Sequence, residues 1–163
     1  MSVNTKMVEG RRKLRFDSLD DLLAEADRLA KCDVTMLGNW SLAQIFSHLA
    51  AGINSTMDGS TFKPPLWMRL MAPVMKTFMK KKFIHEGIPS GFQIPKEAEA
   101  QFVPVDDVEL HSSLRELQSA VERFKSVERF TDHPFLGNLS KEETLQFQLR
   151  HAEMHLSFAI PAA

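Results

Sequence analysis

Leu110-His111-Ser112-Ser113-Leu114-Arg115-Glu116-Leu117-Gln118-Ser119-Ala120-Val121-Glu122-Arg123-Phe124 places an apolar residue at alternating steps of four and three. On an α-helix, Leu110, Leu114, Leu117, Val121 and Phe124 fall on one stripe, with the spacing of a bundle seam. The pattern extends over residues 108–127. A helix of that length gains its stability by burying such a stripe against other helices, so the rest of the chain must supply them.

Three further segments do. Ser18 is a suitable N-cap with Asp20 and Asp21 in the first turn, and Leu19, Leu22, Leu23, Ala26, Leu29 and Ala30 then recur at three and four. Ser41-Leu42-Ala43-Gln44 is a capping box, with Trp40 placed to pack on Ile45 as a hydrophobic staple. That helix runs to about Met57 and stops at Asp58-Gly59. Ser140-Lys141-Glu142-Glu143 is a second capping box, opening a helix to about Phe158 whose stripe is Leu145, Leu149, Ala152 and Leu156. It must end before Pro161. No segment alternates with period two long enough to read as a strand. The expectation is an all-α protein, a four-helix bundle over residues 1–163. Residues 1–16 form an N-terminal arm. The first two helices are antiparallel neighbours joined by a short loop, and a long crossover over residues 58–107 separates the second from the third.

The composition suits one globular domain: 163 residues, 44% hydrophobic, 25% charged, net charge −1. Near-neutral charge gives no general drive toward nucleic acid or membrane. Met1 to Lys13 lacks an apolar core, so no signal peptide is expected, and no apolar run reaches the ~20 residues of a membrane span. The lone Cys32 cannot form an internal disulfide, ends a helical pattern, and is expected to be a packed thiol. These features together read as a cytoplasmic protein.

Within the crossover, Pro64-Pro65 precedes Met68, Met71, Met75 and Met79 at helical spacing. Pro73 is expected to kink or split that helix. Lys80, Lys81 and Lys82 follow. The plain reading is a short helix packed on the bundle with its lysines in water. A functional reading is a lid over a pocket, or a membrane-surface or homodimer contact. Residues 87–107 contain Pro89, Pro95 and Pro104 and are expected to be extended.

Against this frame, Arg150-His151-Ala152-Glu153-Met154-His155-Leu156 puts two histidines one turn apart on one helix face. His48 borders the stripe of the second helix, with Gln44 one turn before it as a candidate to orient its ring and the small Gly52 one turn after. In a bundle, residues bordering the core on adjacent helices converge. Three neutral imidazoles suffice to hold a zinc or nickel ion with one position left open. The alternative is that all three are structural histidines. His133, before Pro134, is expected to be a turn residue, His111 a weak candidate for a further ligand or base, and His85 a surface residue. A HExxH zinc protease does not fit, because Ala152 follows His151. A di-iron bundle does not fit either, since paired ExxH motifs are absent.

Asn39-Trp40-Ser41 through His48-Leu49 resembles the W-S-x-x-x-x-x-x-H-L signature of the DinB-like (YfiT-like) metalloenzymes. His151 to His155 is similar to their second signature, H-x-x-x-H on the last helix. His133-Pro134-Phe135-Leu136-Gly137 resembles the HPF-x-G loop of a subfamily of unknown function, whose members often have a further histidine where this chain has Met154. The resemblance implies a four-helix bundle with a long crossover. It also implies a divalent metal ion, nickel or zinc, on His48, His151 and His155. Characterised relatives include thiol-dependent S-transferases, so it implies a low-molecular-weight thiol and a small-molecule substrate as partners. Metal-assisted hydrolysis is the second expectation, although Glu153 is poorly placed to serve as its base. A non-enzymatic interaction protein with structural histidines is the third.

Overall fold

The structure, a computed structural model, describes residues 3–60, 66–91, 103–134 and 136–162, and gives the backbone alone for 67–69, 71–72, 74–75 and 77. The described chain is mostly helical. Its helices are α1 (Leu19–Ala30), α2 (Leu42–Asp58), α3 (Leu66–Lys81), α4 (Leu110–Ser126) and α5 (Lys141–Leu156). Two three-residue strands, β1 (Val34–Met36) and β2 (Ala159–Pro161), pair antiparallel, with Thr35 opposite Ile160.

Local chemistry sets the helix ends. Ser18, Ser41 and Ser140 each accept a hydrogen bond from the third helical N–H, and Asp21, Gln44 and Glu143 reach back to the cap backbone. α2 stops at Gly59, whose φ of 85° lies in the region that favours glycine. α4 starts at Leu110, two residues later than its apolar pattern suggests, because the Glu109 carboxylate accepts from the N–H groups of His111 and Ser112. α5 ends at Leu156 and not at Phe158, because Ala159 already pairs with Met36.

Four of the helices share one core. Leu22, Ala26 and Leu29 of α1, Phe46, Leu49 and Ile53 of α2, Leu117 and Val121 of α4, and Leu149, Ala152 and Leu156 of α5 are all buried in it. α2 packs most extensively on α4, and α1 lies against α4 and α5. The expectation that α1 and α2 are close neighbours is therefore corrected. The segment between them is not a tight turn: it carries β1, which reaches over to β2 and spends the loop on that pairing. The strand pair itself escaped sequence reading, because three residues are too few to show a period of two.

In the crossover, α3 is helical across Pro73, so the proline does not split it. It runs into a wider, π-type turn at Lys82–Glu86, whose Phe83 and Ile84 are buried. The side chains of Trp67, Met68, Met71 and Met75 lie outside the described residues, as do residues 92–102 of the stretch expected to be extended. Cys32 is exposed, with Sγ 3.7 Å from the Leu29 carbonyl, and is not the packed thiol expected. α1 ends at Ala30, two residues before Cys32, so the thiol lies outside the helix's buried face.

The N-terminal arm fastens the end of α5. Arg11 donates to Ser157 Oγ (2.7 Å) and the Met154 carbonyl (3.3 Å), and Arg12 to the Leu156 carbonyl (3.1 Å). Cations at a helix C-terminus satisfy its last carbonyls and oppose its dipole. One turn earlier, Arg150, 1% exposed, pairs with Glu153 at 2.8 Å and donates to the Phe16 carbonyl at 2.6 Å, while Glu153 accepts from the Phe16 N–H. These bonds hold the two turns of α5 that carry His151 and His155.

Candidate metal centre

His48 projects from the middle of α2, and His151 and His155 from successive turns of α5. His48 is 3% exposed and the other two are half-buried. The His151 Nε2 atom lies 3.0 Å from His48 Nε2 and 3.1 Å from His155 Nε2. One ligand atom from each of the three residues falls within 4.8 Å of the others. A tetrahedral ion with metal–nitrogen bonds of about 2.0–2.1 Å separates its ligands by about 3.3 Å. The histidine nitrogens therefore need only small shifts to surround such an ion.

Electrostatics favour the same reading. Burial holds His151 and His155 well below the ordinary imidazole range, and the neighbouring histidines push in the same direction. Both rings are neutral at pH 7 and can present lone pairs. Without a cation, three facing nitrogens are poorly matched: a proton on His151 Nε2 can serve only one of its two neighbours. A cation between them accepts all three lone pairs.

A metal-ready His151 carries its proton on Nδ1. That atom is buried without a partner, and so is Gln148 Oε1, one turn earlier on α5. Both face Gly52 of α2: a Cβ there would lie 3.5 Å from His151 Nδ1, 3.4 Å from its Cε1 and 3.7 Å from Gln148 Oε1. An acceptor and a donor thus lie unpaired beside the same glycine. A small rotation of Gln148, or one bridging water, joins them, the usual way an outer amide or carboxylate fixes a ligating ring.

Trp40 forms the outer wall. Its ring stacks on His155 (centroids 5.2 Å apart, 11° between planes) and tilts against His48 at 4.8 Å. Ile45 lines the same side, so the expected staple pair also shapes the site. Beside His155 opens a pocket of about 210 Å³, lined by Trp40, Ile45, Met154 and Phe158 and by backbone near Gly38 and Gly91. Arg11 lies over the Phe158 ring at 4.2 Å, and among the described residues it has no carboxylate partner. No described residue between 66 and 83 lines this pocket; among the described residues of the crossover, Gly91 does.

The three residues expected as ligands come together; the remaining candidates do not join them. Gln44 is spent elsewhere: its Oε1 closes the capping box and its Nε2 donates to the Val105 carbonyl at 3.2 Å, so it does not orient His48. Glu153 turns to Arg150 and Phe16. His111 and His85 are exposed. His133 is a turn residue as expected: its N–H and carbonyl pair with Gly137, and Nδ1 accepts from the Leu136 N–H at 3.1 Å. Its ring packs on Phe147 at 4.7 Å, and burial lowers its pKa to about 4. Sequence reasoning missed Gln148 and the site role of Trp40. For Gln148 the signal was its place one turn before His151, on the side toward Gly52.

A family model, described as a protein of unknown function (DUF1569), matches residues 8–162. The chain belongs to this DUF1569 family. No curated protein and no solved structure matches it. The DUF1569 match spans the second half of the arm, the five described α-helices and the strand pair, and so includes His48, His151, His155, Trp40 and Gln148.

Proposed function

We propose that this DUF1569 chain is a divalent-metal-binding protein of the DinB-like kind, a four-helix bundle whose α3 region forms the crossover. In this reading it is a metal- and thiol-dependent transferase acting on a small molecule. The observation that carries the reading is the convergence of His48, His151 and His155 with ring nitrogens 3.0 and 3.1 Å apart. An ion held there, zinc or nickel by donor type, would supply a Lewis acid that lowers the pKa of a thiol or water. The chain's own residues do the rest. The three imidazoles bind the ion, Gln148 steadies His151, and Trp40 with its neighbours presents an apolar pocket next to His155.

Hydrolysis ranks second on a specific observation. It needs a carboxylate or other base beside the ligands, and Glu153, two residues from either histidine and so off their face of α5, is committed to Arg150 and the Phe16 N–H. A thiolate needs no such base once formed, which favours transfer of a thiol to an electrophile.

The test is metal content followed by activity. Protein purified without an affinity tag should carry near-stoichiometric zinc or nickel, and His155→Ala should lose it. Loaded protein should conjugate at least one of a panel of low-molecular-weight thiols to an electrophile. Substoichiometric metal, with thermal stability indifferent to added zinc or nickel, would leave the histidines as structural groups. Bound metal without conjugation, but with ester hydrolysis, would favour the second reading.

A further inference from the structure

Helix α3 carries a surface that the metal centre does not use. From Leu66 to Lys82 the chain has Arg69, Lys76, Lys80, Lys81 and Lys82 and no acidic residue, in a protein of net charge −1. Its exposed apolar residues are large: Leu66, Leu70 and Phe78 are 70%, 73% and 75% exposed. Leu66 and Leu70 are one turn apart and share a face. Lys76, Lys81 and Lys82 are exposed among them, while Lys80 pairs with Glu143 of α5 at 2.8 Å. Arg15 adds a cation at the same end, where it reaches the His85 carbonyl at 3.4 Å; Glu86 is the exposed acid nearby.

A helix lying on a globular core ordinarily turns polar residues outward. Among the described side chains of α3, the exposed ones are leucine, phenylalanine, lysine and Pro73. A second copy of this chain is a poor occupant, because a two-fold contact through α3 sets the same cations against themselves. A grooved partner is not called for either: the three apolar side chains stand on a convex helix. Cations interleaved with apolar side chains on a convex surface match a deformable layer that is anionic outside and apolar just beneath.

We propose that α3 docks this protein on the surface of a bilayer containing anionic lipid, with Leu66, Leu70 and Phe78 entering the headgroup boundary and the lysines pairing with lipid phosphates. No described helix is long and apolar enough to cross a membrane, so the contact is peripheral. This proposal stands independently of the metal reading.

The experiment is sedimentation of the full chain with vesicles of phosphatidylcholine alone, or with one-third phosphatidylglycerol. Binding is expected to the anionic vesicles, at least tenfold weaker to neutral ones, and lost between about 0.1 M and about 1 M salt as screening shortens. Leu70→Glu with Phe78→Glu, and separately Lys81→Gln with Lys82→Gln, should each weaken binding tenfold or more while helicity is kept. Equal binding to neutral vesicles, no binding, or binding unchanged in both variants would overturn the proposal. Concentration-dependent dimerisation abolished by the Leu70/Phe78 change, without vesicle binding, would reassign the face to a second copy. Tight binding of soluble poly-glutamate, indifferent to that change and preferred over vesicles, would reassign it to an acidic polypeptide.

Discussion

Gly52 and Gln148 carry the local logic of the site. A methyl group at position 52 would meet the His151 ring at 3.4–3.5 Å and Gln148 Oε1 at 3.7 Å, ordinary contact distances that would fill the space between the two side chains. Gly52→Ala gains helix propensity of about 0.8–1 kcal/mol, yet should lower metal affinity by filling the gap through which Gln148 or a bridging water reaches His151 Nδ1. An isothermal titration against a competing chelator measures both the loss and its size. Gln148→Leu removes the amide that can accept the His151 Nδ1 proton, and metal affinity should fall about 10–100-fold, the usual cost of losing an outer-shell partner. An unchanged affinity would show that Gln148 serves only the Gly52 carbonyl. Arg150 and Glu153 form a second residue-scale test. Replacing Arg150 by Met alone strands a buried carboxylate and should cost about 3–5 kcal/mol. Replacing Glu153 by Leu as well should recover a large part of it, which a double-mutant cycle in urea reads directly.

At the scale of elements, α5 is the decisive helix, because it places two of the three imidazoles and borrows rigidity at both ends. Its N-terminus depends on Ser140, whose side chain accepts from the Glu143 N–H at 3.1 Å. Ser140→Ala should cost about 1 kcal/mol of stability, visible as a lower urea midpoint. It should leave metal affinity nearly unaltered, since the ligands lie three turns away. Much of this element was legible: the capping box and the leucine stripe predict α5 to within two residues at its end. What was not legible is the strand pair that stops it. β1 and β2 are each too short to leave a periodic trace, and their pairing joins residues more than a hundred positions apart. For the same reason the short segment between α1 and α2 read as a turn between neighbours, when it is a strand leading across the fold.

At the scale of the molecule, burial of neutral histidines links stability to pH. His133 titrates near 4 when folded against 6.5 when exposed, and His151 and His155 are shifted in the same direction. The unfolded chain therefore takes up protons first as pH falls. The His133 contribution to stability is intact above pH 6.5 and is lost progressively as pH drops toward 4, and burial of His151 and His155 acts in the same direction. The melting temperature, followed by circular dichroism, should fall across that window, and more steeply than for a His133→Phe variant. Bound metal acts in the opposite sense. An ion at a hundredfold excess over its dissociation constant stabilises by about 2.7 kcal/mol, a rise of about 5–10 °C in melting temperature for a chain of this size. The rise should vanish in His48→Ala.

The sequence by itself determined the mostly helical class, the helix caps, the core stripes and the identity of the three histidines. Each of these follows from spacing along one helix, and a helix makes spacing into geometry with no help from the rest of the chain. Only the tertiary structure decided that α1 packs on α4 and α5, that Gln44 is spent on a cap and the Val105 carbonyl, and that Trp40, Gly52 and Gln148 enclose the histidines. Those outcomes depend on which faces meet, a competition among buried areas and hydrogen-bond partners from distant segments that no local pattern records.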